Sequence, residues 1–227
     1  MDVKVLKSLS FFDDFTLPDM ERASRFLMEK KYDRNSFIFM EGDSGHELFI
    51  VVSGTVEINR FEYGKKFVIS TLQKGDIFGE MSLFDEGEFR SANAKVVDKA
   101  VLASIERRHL QSLLETSPGV TNKLLTILIH RLRKANDRIH DVAFLNVRER
   151  IYKQLLRLVE EHGVKLNHMI MINLRLTHQQ IADMVGCTRE MVSKVLSELQ
   201  VDHIIGINKK RITVKNKLLL SDKVSGY

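Results

Sequence analysis

The stretch from Thr177 to Leu199, Thr-His-Gln-Gln-Ile-Ala-Asp-Met-Val-Gly-Cys-Thr-Arg-Glu-Met-Val-Ser-Lys-Val-Leu-Ser-Glu-Leu, is the most specific segment of this 227-residue chain. Thr177 and Gln180 have the spacing of a capping box for one helix, Gly186 supplies its stop, and Thr188 caps a second. Ala182 is small where two helices must cross closely. Val192, Val195, Leu196 and Leu199 recur at i, i+3, i+4 and i+7, which is the apolar face of the second helix. Two short helices around a glycine-containing turn make a helix-turn-helix. The opposite face carries Arg189, Glu190, Ser193, Lys194 and Ser197. Arg and Lys reach guanine O6 and N7 in a major groove, and Glu accepts from cytosine N4. Downstream, Ile204 to Ile207, Asn208-Lys209-Lys210 and Arg211 to Val214 read as a hairpin with a basic tip, a composition suited to phosphates.

Working back along the chain, Asn146 starts a helix with Glu149 as its capping partner and Ile151, Leu155, Leu158 and Val159 as its apolar face. Alternation around Met169 to Leu176 predicts a short hairpin. Ser117-Pro118 marks an earlier helix start, and no proline follows before Leu145. Within it Leu125, Leu128, Leu132, Ala135, Ile139 and Val142 step by 3, 4, 3, 4 and 3, the seam of a two-stranded coiled coil. Arg131, Arg133, Lys134, Asn136, Asp137 and Arg138 leave only a narrow apolar stripe, so the helix is expected to form a homodimer. At ~1.5 Å per residue it is about 42 Å long. The chain thus divides into 1–116, 117–145 and 146–227.

Charge follows the same division. Residues 1–115 carry 16 Lys+Arg against 20 Asp+Glu, 116–147 carry 5 against 2, and 148–227 carry 14 against 8. The net +5 therefore hides an acidic part joined to a basic one. That asymmetry is expected where the basic end meets a polyanion such as double-stranded DNA. With 44% hydrophobic and 29% charged residues, the balance is that of a globular protein. No apolar run approaches the ~18 residues of a bilayer crossing, so no membrane association is expected. Met1 to Lys4 has no signal-peptide character, and the single Cys187 forbids an internal disulfide. A cytoplasmic location is expected.

The acidic part reads as strands. Phe37 to Phe39, Leu48 to Val52, Thr55 to Phe61, Phe67 to Leu72, Ala92 to Val97 and Ala100 to Ile105 recur about every ten residues. Gly42, Gly45, Gly54, Gly64 and Gly75 fall between them and are expected to supply the positive φ of tight turns. A sandwich or jelly roll follows, preceded by a helix from Met20 to Lys30. One segment breaks the alternation: Gly75-Asp-Ile-Phe-Gly79-Glu80-Met-Ser-Leu-Phe-Asp-Glu-Gly87-Glu-Phe-Arg90-Ser91-Ala92. Backbone N–H groups beside glycines, a guanidinium and a carboxylate that can accept from a sugar hydroxyl make a compact phosphate site.

Gly79-Glu80 with Arg90-Ser91-Ala92, the long helix ending Val142-Ala-Phe-Leu-Asn-Val147, and Gly186-Cys-Thr-Arg-Glu190 together resemble the cyclic-AMP receptor protein (Crp/Fnr) family of bacterial transcription regulators. The similarity spans nearly the whole chain. It implies an α+β architecture: an amino-terminal double-stranded β-helix (a jelly roll of the cyclic-nucleotide-binding type), a long dimerisation helix and a carboxy-terminal winged helix-turn-helix. By resemblance, Gly79 and Glu80 hold the ribose and Arg90 and Ser91 the phosphate of a cyclic nucleotide, cyclic AMP, with Arg131 near the ligand. Arg189 and Glu190 match base-reading positions, with Lys194 where arginine is typical. By the same resemblance, Thr177 and Gln179 are expected to touch phosphates beside Lys209 and Lys210. The site implied is a palindrome with TGTGA-like half-sites about one helical turn apart, and RNA polymerase is an implied partner.

One departure concerns the base. The family's Thr-Ser pair that contacts adenine is Ala135-Asn136 here. Asn136 offers a donor and an acceptor, whereas Ala135 makes no side-chain hydrogen bond. Cyclic GMP, cyclic di-GMP or another small molecule therefore remain alternative effectors, as does the same fold with no ligand. An iron–sulfur cluster needs four thiolates, which one cysteine excludes. His46, His109, His130 and His140 show no local haem pattern. A β-roll metalloenzyme needs clustered ligands, and His46-Glu47 is the only such pair in the β region, so neither a metal nor an enzymatic activity is expected. A nucleotide-gated regulatory subunit would share the roll but not the helix-turn-helix.

Overall fold

Runs of β-branched and aromatic residues pair over long distances in the first half of the chain. The computed structural model describes residues 1–84 and 89–225. These form two compact units that meet between Leu132 and Arg133. Of the glycine-bounded segment singled out above, Asp85, Glu86, Gly87 and Glu88 lie outside the described residues.

The first unit opens with α1 (Val3–Leu6), a 3-10 turn (Ser10–Phe12) and α2 (Leu17–Phe26). Strands β1 (Met28–Tyr32), β2 (Phe37–Phe39), β3 (Glu47–Glu62), β4 (Lys65–Leu72) and β5 (Ile77–Phe78) follow, then α3 (Met81–Phe84), β6 (Asn93–Glu106) and α4 (Arg107–Thr116). The antiparallel sheet runs β1-β6-β3-β4, with β2 also on β6 and β5 on β3. Glu47 pairs with Glu106 and Asn59 with Asn93 at the two ends of the central ladder. Leu6, Phe12, Leu48, Ile50, Ile77 and Leu83 form one core. Phe49, Val51, Val56, Phe78, Val96 and Leu102 form another.

Several sequence expectations are corrected here. The separate strands expected on either side of Gly54 are one strand, β3, and those on either side of Lys99 are one strand, β6. Gly54 has φ +88, and a Cβ there would lie 2.4 Å from the Lys99 carbonyl oxygen. The register shifts around it, so this glycine bends a continuous strand and does not end one. Gly45 lacks a positive φ; its Cβ would instead lie 2.3 Å from Ser82 Oγ and 2.6 Å from Arg90 Nε. Glycine is needed there for space. The helix expected to reach Lys30 stops at Phe26, because Met28 to Tyr32 pair with Ser104 to Ala100 of β6. Ladder hydrogen bonds outweigh local helical pattern at that point.

Helix α5 (Pro118–Phe144) is continuous across the boundary between the units. Leu125, Leu132, Ile139 and Val142 are each more than half exposed, and Ala135 is exposed too. Leu128 differs from them, packing partly against the first core. Ser117, expected to cap α5, donates its hydroxyl instead to Asp19 Oδ1 at 2.5 Å.

The second unit continues with α6 (Val147–His162), β7 (Gly163–Leu166), β8 (Met169–Ile172), α7 (His178–Val185), α8 (Arg189–Val201), β9 (Ile205–Asn208), β10 (Arg211–Val214) and α9 (Lys217–Ser225). The hairpin expected at Met169 to Leu176 instead joins Gly163–Leu166 to Met169–Ile172. Asn146 and Glu149 close the expected capping box on α6. Ile151, Leu155, Ile181, Ala182, Val192, Leu196 and Ile212 fill the core. On the last turns of α5, the buried Asp141 carboxylate meets Lys153 Nζ and the Arg157 guanidinium of α6, each at 2.6 Å. Among the described residues no helix is long and apolar enough to cross a membrane.

Asp19 joins α2 to the start of α5. Hydrogen bonds from Ser117 and Thr16, with Arg22 alongside, hold its carboxyl below the ordinary 3.8. A depressed carboxyl contributes stability above its unfolded value and loses it as pH falls through its folded one. Asp19→Asn is expected to cost about 1–3 kcal/mol at neutral pH, measured by urea unfolding, and the gap to the parent should close as pH falls below 3.8.

Candidate functional site

In the first unit the turn between β5 and α3 carries the expected glycine and carboxylate. Gly79 has φ +79, and a Cβ there would lie 2.6 Å from an Arg90 nitrogen. Glu80 is 3% exposed. A carboxylate so buried requires a cation, and Arg131 of α5 supplies it at 2.5 Å. The same guanidinium donates to the Ile77 carbonyl. Glu80 and Arg131, 51 residues apart, are thus brought together.

Arg90 is 6% exposed. Nη1 donates to the Gly79 carbonyl at 2.8 Å and to Ser82 Oγ at 3.0 Å, and Nη2 donates to the Glu47 carbonyl at 3.0 Å. Its guanidinium lies 4.2 Å from the centre of the Phe39 ring, and burial lowers its pKa. Among the described residues its Nε has no hydrogen-bond partner. Ser91 is exposed, its hydroxyl contacting Met81 Sδ at 3.6 Å.

Arg90 and Ser91 face different cavities. Ser91 lines one of about 370 Å³ with Glu80, Met81, Phe84, Phe89 and Leu128. Arg90 lines one of about 630 Å³ with Lys30, Tyr32, Phe39, His46 and Glu47 among others. The two lie just before β6 and open to different cavities, which the Arg-Ser spacing alone does not reveal. The residues fit a small phosphodiester in that the buried Arg90 guanidinium lines the larger cavity, although an unpartnered Nε is shared with Arg150 and Arg211 among the described residues. Sequence reasoning missed Gly45 and the Glu47 carbonyl, which come to Arg90 from a distant segment, and the role of Ser82 within Arg90's own segment. Asn136 belongs to the second unit and is exposed.

The second unit presents the helix-turn-helix. Thr177 accepts from the Gln180 N–H, and Gln180 reaches back to the Thr177 N–H. Gly186 adopts φ 72, ψ 46 and returns its N–H to the Ala182 carbonyl at 2.8 Å. Thr188 caps α8. Val192, Val195, Leu196 and Leu199 are buried, whereas Arg189, Glu190, Lys194 and Ser197 are exposed on α8. Ser193 departs from the expected outward face: it is half-buried and bonded to His178 Nδ1 at 2.8 Å, locking α8 to α7. Gln179 is exposed, and its amide nitrogen donates to Asp183 at 2.7 Å. Burial raises the pKa of Cys187 in the turn, which suits packing.

The basic hairpin is formed by β9 and β10, with Asn208 paired to Arg211. Lys209 and Lys210 between them adopt φ 46 and 65. A two-residue turn with both φ positive matches the strand twist but normally selects Asn and Gly. The Lys210 carbonyl accepts from the Leu176 N–H at 2.9 Å. The hairpin tip is therefore tied beside Thr177, so Thr177, Gln179, Lys209 and Lys210 share one region of this unit.

A roll with a phosphate-suited turn and a winged helix-turn-helix define a ligand-responsive regulator of transcription. Residues 29–117 match the cyclic nucleotide-binding domain and residues 149–222 the Crp-like helix-turn-helix domain. The CRP-like cAMP-activated global transcriptional regulator of Mycobacterium tuberculosis is 31% identical over 196 residues, 86% of this chain and 87% of that protein. The cAMP-activated global transcriptional regulator CRP of Pasteurella multocida is 32% identical over 185 residues, 81% and 88% of the two chains. The solved structure of the c-di-GMP responsive global regulator CLP of Xanthomonas campestris is 28% identical, with a TM-score of 0.78 over 88% of this chain and 100% of that one. The chain belongs to the cyclic-AMP receptor protein (Crp/Fnr) family of transcription regulators, which are not enzymes.

Placing Asn at 209 and Gly at 210 (Lys209→Asn with Lys210→Gly) is expected to stabilise the second unit by about 1–2 kcal/mol, read as a raised midpoint in calorimetry.

Proposed function

We propose that this protein is a cytoplasmic homodimer whose affinity for a DNA palindrome is set by a cyclic nucleotide, cyclic AMP, bound in the amino-terminal roll. The observation that carries this reading is the buried Glu80–Arg131 pair, which joins the nucleotide-type turn to α5. Gly79 and Glu80 hold the ribose, Arg90 the phosphate, and Arg131 completes the effector set; Ser91, which opens to a different cavity from Arg90, is left out of the phosphate contact. Effector hydroxyls competing for Glu80 change the hold on Arg131, and with it the helix that pairs two copies through Leu125, Leu128, Leu132, Ala135, Ile139 and Val142. Coupling of the two binding events through one dimer is reciprocal. The working division is 1–116, 117–145 and 146–227.

On DNA, Arg189, Glu190 and Lys194 read bases of a TGTGA-like half-site, while Thr177, Gln179, Lys209 and Lys210 meet phosphates. Lys194 gives a point contact in place of arginine's planar fork. RNA polymerase is the further partner.

Titration calorimetry with cyclic AMP, cyclic GMP and cyclic di-GMP, each followed by DNA-binding anisotropy, tests the effector. Heat with cyclic AMP and tightened binding to the palindrome is the expected result. A response to cyclic di-GMP alone would replace cyclic AMP, and no heat with unchanged DNA affinity would overturn the switch. Arg189→Ala should lose about 1–3 kcal/mol of discrimination at one base pair, with little change on unrelated DNA. Equal losses on both would argue against base contact. The Lys209→Asn, Lys210→Gly dimer, which loses two phosphate contacts from each copy, should show a salt slope shallower by about 3.6.

A further inference from the structure

Arg90 is held more firmly than an arginine waiting in a pocket would need to be. Among the described residues, three of its five guanidinium N–H groups are given to Gly79, Ser82 and Glu47. Phe39 closes one ring-sized face of the group at 4.2 Å. What remains is the Nε–H, buried and without an acceptor, and one N–H on Nη2. Nε is closed over, with Gly45 against it, so the remaining N–H on Nη2 is the one left for an anion.

Ser82 helps to hold the guanidinium. Ser82 is 2% exposed, and its hydroxyl donates to the Gly79 carbonyl at 3.3 Å and accepts from Arg90 Nη1 at 3.0 Å. Gly45 packs against both partners: a Cβ there would lie 2.3 Å from Ser82 Oγ and 2.6 Å from Arg90 Nε. Gly45 has no positive φ to explain it, so its missing side chain serves the fit of this pair.

We infer that Ser82 is a positioning residue of the effector site, which with Gly45 holds the Arg90 guanidinium in place for the effector's phosphodiester. This rests on the reading that Arg90 meets the phosphate. Ser82 touches Arg90 and not the ligand, so its removal should act only on ligands that carry the phosphate.

The test is calorimetry on the full-length protein with cyclic AMP and, as a phosphate-free probe, adenosine. Ser82→Ala is expected to weaken cyclic AMP binding about tenfold and leave adenosine unchanged. Ser82→Cys, nearly the same size, keeps the fold while weakening the contact, and should fall between the two. Gly45→Ala should reproduce the loss without removing a hydrogen-bonding group. In an Arg90→Ala background, Ser82→Ala should have no further effect. A Ser82 effect that persists without Arg90, or that weakens adenosine equally, assigns the hydroxyl to general packing and overturns the proposal. Unchanged cyclic AMP affinity in both Ser82 variants overturns it also. Failure of the parent protein to bind any cyclic nucleotide overturns the effector reading itself, and the proposal with it.

Discussion

A carboxylate cannot be left uncompensated in a protein interior, and Glu80 is the place where this chain meets that constraint. Its partner lies on α5, so the turn after β5 and the first half of the long helix are fixed to each other by charge. Removing one member of such a pair leaves a buried charge at a cost of about 3–5 kcal/mol. The consequences spread through adjoining bonds. Arg131 also takes the Ile77 carbonyl, Gly79 offers its own carbonyl to Arg90, and Arg90 reaches the Glu47 carbonyl at the start of β3. Strand, turn and helix are held in one run of charge-assisted hydrogen bonds, and the cavity lined by Glu80 and Ser91 is shaped by it.

The second unit is organised in the opposite way, by short-range caps. Asn146, Thr177 and Thr188 each satisfy backbone N–H groups within three residues of themselves. Gly186 stops α7 at the angle that lets α8 cross it, and His178 with Ser193 fastens the two. Arg148 of α6 grips Glu198 of α8 from behind and holds that carboxyl below its ordinary pKa. The side chains left over, Arg189, Glu190 and Lys194, then stand on a face whose backbone is already settled.

What could be read from residues alone follows from that contrast. Capping boxes, the glycine stop, the helix of α5 and the basic hairpin are signals within a few positions, so their physics is complete inside a short window. The interruption at Gly54 was legible only as a turn, because its true role depends on the Lys99 carbonyl from another part of the chain. The end of α2 at Phe26 depends likewise on β6, and the hairpin of β7 and β8 on a partner strand that alternation does not name. At the candidate site Gly79, Glu80, Arg90 and Ser91 were identifiable as chemistry. That Arg90 and Ser91 open to different cavities, and that Ser82 and Gly45 stand behind Arg90, required three-dimensional placement.

The turn at Lys209 and Lys210 sets two like charges side by side on a backbone that resists its own geometry. Ionic strength acts on such a turn twice. Added salt screens the mutual repulsion of the two ammonium groups and firms the hairpin, while the same screening weakens any hold on a polyanion. The mechanical order of the tip and its grip therefore change in opposite directions with salt. A stiffer wing, in this chain, is not a stickier one.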